Sequence, residues 1–310
     1  MLDFHLGGGW VSSASKSTTE VYRFDVKAIF LVLLITVLFS KGSLIVEGIE
    51  ISNCTTIYAP GYYVLVNDII DRTAGTCIKI TSSDVVFDGA GHKIDGVGEG
   101  GLFNSPHGVE VSSTLTNITI KNLVITDWEI GIFANTSKVN IYNNTLINNS
   151  YGIYMYTWDT NVVGNNLSGN SRAGIQLYGS NNTIENNYFS GKENVGISVS
   201  GDNNLIGHNT GSCGYDQFSG FQCTGISAEG NYNVIIGNNV YSNFEGISVG
   251  LGANNSIVNN TVYNNQKGIE VNHGENNTIS GNVLRSNTDW GIRLYQSSLN
   301  IIINNHIRLS

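Results

Sequence analysis

The chain has 310 residues, a formal net charge of −9, 13 % charged residues, 37 glycines and only two prolines, Pro60 and Pro106. The acidic balance argues against nucleic acid and against an anionic membrane surface as partners, since both repel a negative protein. Its plainer consequence is solubility rather than cation binding.

Residues 1–27 read as an N-terminal tail. Residues 28–42 hold the apolar run AIFLVLLITVLFS (28–40), flanked by Lys27 and Lys41. Thirteen residues fall short of the roughly 20 that span a bilayer and suit the core of a signal peptide. The tail is long for the segment ahead of such a core, which leaves a membrane anchor as the alternative. Either way the sequence places the remainder of the chain outside the cytoplasm, secreted or anchored in the membrane by residues 28–40.

From residue 50 to 310 the chain reads as one repetitive domain. A glycine followed by an aliphatic residue recurs at Gly108, Gly131, Gly152, Gly174, Gly196, Gly225, Gly246, Gly268 and Gly291. The intervals are 23, 21, 22, 22, 29, 21, 22 and 23 residues, a period near 22 that marks a solenoid. Each repeat carries three short apolar bursts; after Gly246 these are Ile247 with Val249, Ile257 with Val258, and Val262. Such bursts are too short and too β-branched for helices. The expected fold is all-β: a single-stranded right-handed parallel β-helix with about 22 residues and three short strands per rung, a rod on the order of 50 Å long.

The 42 asparagines, none before Asn53, fall mostly at the corners between bursts. Asparagine tolerates the left-handed conformation that corners need, and stacked copies can hydrogen-bond from rung to rung. The corner motif also creates ten Asn-X-Ser/Thr sequons, at Asn53, Asn117, Asn135, Asn143, Asn148, Asn166, Asn181, Asn254, Asn259 and Asn276, which would be glycosylation acceptors outside the cytoplasm. Cys54 and Cys77 lie 23 residues apart, one rung, while Cys213 and Cys223 close the loop of the 29-residue interval. Two disulfides are expected, in keeping with an oxidising compartment; metal ligation by these cysteines lacks the Cys-X-X-Cys spacing.

The segment NCTTIYAPGYYVLVNDI (53–69), then CIKITSSDVVFDGAGHKIDG (77–96) and the repeated GI-x-V…NNTI…NN resemble secreted β-helix proteins of the NosD type. The resemblance covers nearly everything from residue 50 and is similar in character to archaeal surface members. It implies a pectin-lyase-like fold built from repeats that carbohydrate-binding proteins and sugar hydrolases share. Copper delivery, one role in that group, would favour Met and His ligands, yet methionine occurs only at Met1 and Met155. The polygalacturonase-like set NTD…DD…GHG…RIK and the YGFDPH of alginate epimerases are absent from this sequence.

Aligning rungs on the Gly-Ile pair predicts what one sheet displays outward. Phe133, Tyr154, Tyr156 and Tyr178 fall together on three consecutive turns, with Arg293 and Tyr295 further along. A strip of this kind can stack on pyranose rings, or it can simply stabilise the sheet as cross-strand pairs do. Trp128, Trp158 and Trp290 lie beside it and favour a polysaccharide or glycan ligand.

Glu229 and Glu270, two turns apart, are the candidate catalytic pair, since inverting glycosidases hold two carboxyls about 6.5–9.5 Å apart. The loop carrying Tyr215, Asp216, Phe218 and Phe221 would hang beside Glu229, and a lyase reading would bring calcium as cofactor. Asp84, Asp88, His92 and Asp95 read as turn residues rather than a metal site, and His107, His208, His273 and His306 as scattered corners. No other cofactor or metal is expected. The sequence stops at NNHIRLS in mid-rung without cap-like residues, so either a protein partner or another copy of the chain covers that end, or the natural chain runs on past it.

Overall fold

The computed structural model describes residues 48–72, 75–98, 106–191, 194–214 and 222–308. The N-terminal tail, the apolar run and the loop residues Tyr215, Asp216, Phe218 and Phe221 lie outside the described residues.

Every described strand pairs in parallel with its counterpart one rung away, giving three long sheets of 12, 11 and 11 strands. The fold is a right-handed parallel β-helix of about eleven turns, with no helix among the described residues. One rung shows the plan: Glu245–Gly250 lies in sheet 1, Ser256–Val258 in sheet 2 and Thr261–Tyr263 in sheet 3. Sheet 1 holds the Gly-Ile strands.

Inside, aliphatic residues form continuous stacks. Ile132, Ile153, Ile175, Ile197, Ile226, Ile247 and Ile269 are all fully buried and in register down sheet 1. The glycine before each has a steric cause. A Cβ on Gly131 would meet the carbonyl oxygen of Gly152 at 2.6 Å, and one on Gly225 would meet that of Gly246 at 2.8 Å. The strand entrance packs so closely onto the next rung that only glycine fits.

The Asn-Asn corners divide their labour. The first asparagine takes the left-handed conformation, as at Asn143, Asn186, Asn259 and Asn304 with φ near +55°. The residue after the left-handed one, whether that is Asn, Gly or His, turns inward and builds a ladder: Asn165, Asn187, Asn209, Asn238, Asn260 and Asn282 are each buried. Asn187 donates its backbone N–H and its Nδ2 to Asn209 Oδ1 at 2.9 and 3.0 Å, and Asn209 repeats this onto Asn238. Each Nδ2 also bonds a backbone carbonyl, Val162 O for Asn187. These polar side chains are therefore satisfied inside the core, where an unpaired amide would be costly.

Both expected disulfides form, Cys54–Cys77 tying two adjacent strands of sheet 1 and Cys213–Cys223 closing the long interval. In the last described rung the core stacks end on half-exposed side chains, Ile302 in sheet 2 and Ile307 in sheet 3.

Candidate functional site

The outer face of sheet 1 carries the candidate residues, because the residues two and four after each glycine point away from the core. Phe133, Tyr154 and Gln176 are in register, as are Tyr156 and Tyr178. The rings make a continuous strip. Phe133 and Tyr154 are 6.2 Å apart between centroids, Tyr154 and Tyr178 6.0 Å, and Tyr156 and Tyr178 5.1 Å with planes 17° apart. Tyr156 and Tyr178 are 42 % and 38 % exposed, with their neighbours half-buried.

The structure extends the strip with two residues that sequence reasoning missed. His107 stacks on Phe133 at 4.8 Å, so it heads the strip from within a strand instead of marking a corner. Tyr151 packs edge-on against Tyr154 at 5.0 Å. Tyr151 precedes its glycine by one residue and so falls outside the outward positions two and four after it. Burial keeps the His107 imidazole below its ordinary pKa, against the opposing pull of Glu110. Burial, then the 2.9 Å contact with the Tyr156 hydroxyl, pushes the Tyr154 phenol up. The strip is therefore uncharged near neutral pH, with hydroxyls that can donate and accept.

The tryptophans divide. Trp158 is 55 % exposed and walls a depression of about 230 Å³ with Leu115 and Thr136 at the corner beside the strip. Trp128 corrects the expectation: it is buried, its Nε1 donates to Ile94 O at 3.1 Å, and it fills the core. Trp290, Arg293 and Tyr295 lie five rungs beyond Tyr178 on the same sheet, on the order of 24 Å away.

The two candidate carboxylates are two rungs apart but in different columns. Glu229 is in register with Gly250 and Asn272, whereas Glu270 follows Ser227 and Ser248. The offset of two residues adds about 6–7 Å sideways to the rung separation. Glu229 is exposed and borders a shallow groove of about 310 Å³, floored by Ser227, Ser248 and Gly250 and edged by Asn272 and His273. Glu270 is buried, with Arg293 Nη1 3.7 Å from its Oε2. Beside it sits Glu245, a third acid that sequence reasoning passed over because it precedes its glycine. Burial raises the Glu245 carboxyl above its ordinary value; Lys267 opposes this and Glu270 adds to it.

The acids near the N-terminal rungs have separate structural partners. Asp88 accepts from Tyr62 at 2.7 Å, Ala90 N at 2.9 Å, Asn122 at 3.0 Å and Lys121 at 3.0 Å. Asp95 accepts from Thr126 and Lys93, Asp84 from Asn117, and His92 Nδ1 lies 3.0 Å from Asp68. His208 and His273 are left-handed corner residues, as the sequence suggested, while His306 opens a strand.

A parallel β-helix with aromatic rings and acids along one outer sheet defines the class of this molecule. The chain belongs to the right handed beta helix region family, whose pattern matches residues 47–210 and again 152–307. No curated protein matches the sequence. Among solved structures, the chain is similar to the Dettilon tailspike protein (gp208), with a TM-score of 0.57 at 17 % identity over 82 % of this chain and 60 % of that one. It thus spans less than two thirds of the tailspike's length. It is also similar to the mannuronan C-5 epimerase AlgE6 A-module of Azotobacter vinelandii (TM-score 0.59, 15 % identity, 80 % and 79 % coverage). A third resemblance is to DFA-IIIase of Arthrobacter chlorophenolicus A6 (TM-score 0.53, 12 % identity, 80 % and 72 % coverage). At these identities the likeness is one of fold.

Proposed function

We propose that this is an extracytoplasmic surface protein of the NosD type that binds a polysaccharide along the outer face of sheet 1. The observation that carries the reading is the run of rings from His107 through Phe133, Tyr151, Tyr154 and Tyr156 to Tyr178, partly exposed and uncharged. Flat rings with hydroxyls at their edges offer both faces for sugar stacking and groups for sugar hydroxyls. Two disulfides support an oxidising location, reached through residues 28–40. The epimerase and the DFA-IIIase, both carbohydrate enzymes by name, support a sugar ligand on this scaffold.

Incubating the full chain with neutral and uronic polysaccharides, with and without calcium, while following binding and cleavage together, tests the reading. Binding without cleavage, lost in Tyr154→Ala and Tyr178→Ala, is the expected result. Cleavage abolished by Glu229→Gln would instead make the chain a lyase or glycoside hydrolase. Concentration-dependent assembly in sedimentation with no glycan affinity would instead point to a structural module of the cell surface.

A further inference from the structure

Sheet 3 stands apart in its charge. The chain carries 24 Asp and Glu against 15 Lys and Arg, yet no strand of this sheet from Val124–Thr126 to His306–Arg308 contains an acid. One outward column runs Tyr241, Tyr263, Arg285 and Arg308, in register on successive rungs. The Tyr241 and Tyr263 rings stack at 5.3 Å with planes 20° apart, and the Arg285 guanidinium lies 4.9 Å from the Tyr263 ring. Tyr188, 42 % exposed, stands two rungs before Tyr241 in the neighbouring column. Burial, then the phenols of Tyr188 and Tyr263, raises the Tyr241 phenol above its ordinary value and keeps it neutral. Both arginines are exposed, and among the described residues neither has a carboxylate within ion-pair distance. Like charges in register on adjacent strands destabilise a sheet, and here no acid on the sheet offsets them.

We propose that Tyr188, Tyr241, Tyr263, Arg285 and Arg308 form a second glycan site, on sheet 3, that takes a uronate-bearing polysaccharide by its carboxylates. The inference goes beyond the sheet 1 reading: it concerns another face and a charged ligand, and it stands whether or not the aromatic strip binds. A guanidinium stacked on a ring keeps its N–H donors in its own plane, pointing away from the ring, where a carboxylate can take two of them at once. Stacking on Tyr263 also holds the Arg285 fork in place before any ligand arrives, which lowers the entropic cost of binding. Tyr263 is packed between Tyr241 and Arg285, so what it offers outward is its edge and hydroxyl rather than its faces. Those hydroxyls, with the half-buried Asn239 and Thr261 one column away, suit the hydroxyls of a sugar. Sheet 1 contrasts with this, since Glu110, Glu229 and Glu270 lie on its strands and would repel the same ligand.

The test titrates the full chain with galacturonate and mannuronate oligomers, with neutral galacto- and manno-oligosaccharides and with poly-glutamate, following heat at low and at raised salt. Uronate oligomers should bind, and less tightly as salt rises. Arg285→Gln and Arg308→Gln together should weaken that binding about tenfold or more. The unfolding midpoint should not fall, because the like-charge pair is gone. Arg285→Lys keeps the charge but not the fork, so it should restore only part of the affinity. Tyr178→Ala on sheet 1 should leave uronate binding unchanged while removing that of neutral oligomers. Uronate binding that survives the paired arginine substitution overturns this inference, and so does the absence of uronate binding; neutral oligomers still bound in either case leave the aromatic strip standing. Poly-glutamate bound as tightly as the uronates overturns the assignment to a sugar. Uronate binding lost with the arginines, in a chain that ignores neutral oligomers, supports the sheet 3 site and removes the sheet 1 reading.

Discussion

Tyr156 and Tyr178 stand one rung apart, their ring centroids 5.1 Å from each other and their planes 17° from parallel. The pair is an aromatic stack between strands and also an exposed surface. Only the second role requires exposure, and these two are the most exposed rings of the strip. Tyr178→Ala should therefore lower stability by only about 1 kcal/mol, the worth of a cross-strand aromatic pair. Its effect on polysaccharide affinity should be larger, roughly tenfold or more, as befits an aromatic anchor. A thermal scan beside a binding isotherm separates the two; a stability loss with an unchanged isotherm would reduce the strip to sheet stabilisation.

The Asn-Asn corners give opposite expectations for adjacent residues. Asn187→Ala removes the acceptor of Asn165 N and Nδ2 and the donor to Val162 O, all buried. It should cost about 2–4 kcal/mol, since several groups lose partners at once. Asn186, at φ +55° and exposed, is a left-handed position that glycine fills without strain, so Asn186→Gly should change stability by under about 0.5 kcal/mol. Denaturation midpoints of the two variants, measured side by side, check the contrast.

These corners also show what the sequence could and could not reveal. The period, the three bursts, the disulfide pairs and the registers of Phe133 with Tyr154 and of Tyr156 with Tyr178 were legible because a solenoid repeats one local rule each rung. Trp128 was misplaced because its burial depends on a bend between sheets that no period encodes. Tyr151 and Glu245 were missed for a common reason: they stand just before the glycine, where the strand already faces outward. The sideways offset of Glu229 from Glu270 was legible in principle, since one is four and the other two residues past its glycine. What the sequence could not supply was the burial of Glu270, which depends on the side chains around it.

Acid should loosen the first rungs before the rest. Burial works against ionisation of Asp88, but hydrogen bonds from Tyr62, Asn122, Ala90 N and Lys121 outweigh it and hold the carboxyl at about 2. A carboxyl lowered by folding stabilises the protein above its ordinary value, and that contribution is lost as pH falls from about 4 towards about 2. Asp88→Asn should remove this part of the acid sensitivity while lowering stability at neutral pH. Glu245 runs the other way: its raised carboxyl favours the folded state at low pH, and the contribution fades as pH rises through its folded value. Glu245→Gln should therefore stabilise the chain at neutral pH and not in acid. Unfolding midpoints across a pH series test both signs.

The repeated glycine gives the most direct test of the architecture. A Cβ on Gly246 would lie 2.6 Å from Val262 Cγ1, 2.7 Å from Gly268 O and 3.0 Å from Asn265 Nδ2. The backbone oxygen cannot withdraw without disturbing the next rung, so Gly246→Ala should cost about 1–3 kcal/mol, as overpacking does. Gly250, at the other end of the same strand, faces outward, and its nearest atom would be Glu229 Cγ at 3.7 Å, an ordinary contact. There an alanine relieves the entropic penalty of glycine within a strand, and Gly250→Ala should be neutral or stabilising by about 0.5 kcal/mol. If the two substitutions cost the same, the glycine of the Gly-Ile pair would owe its place to something other than the closeness of the rungs. Because the Gly246 position recurs with similar clearance at Gly131, Gly152 and Gly225, the same loss is expected at each.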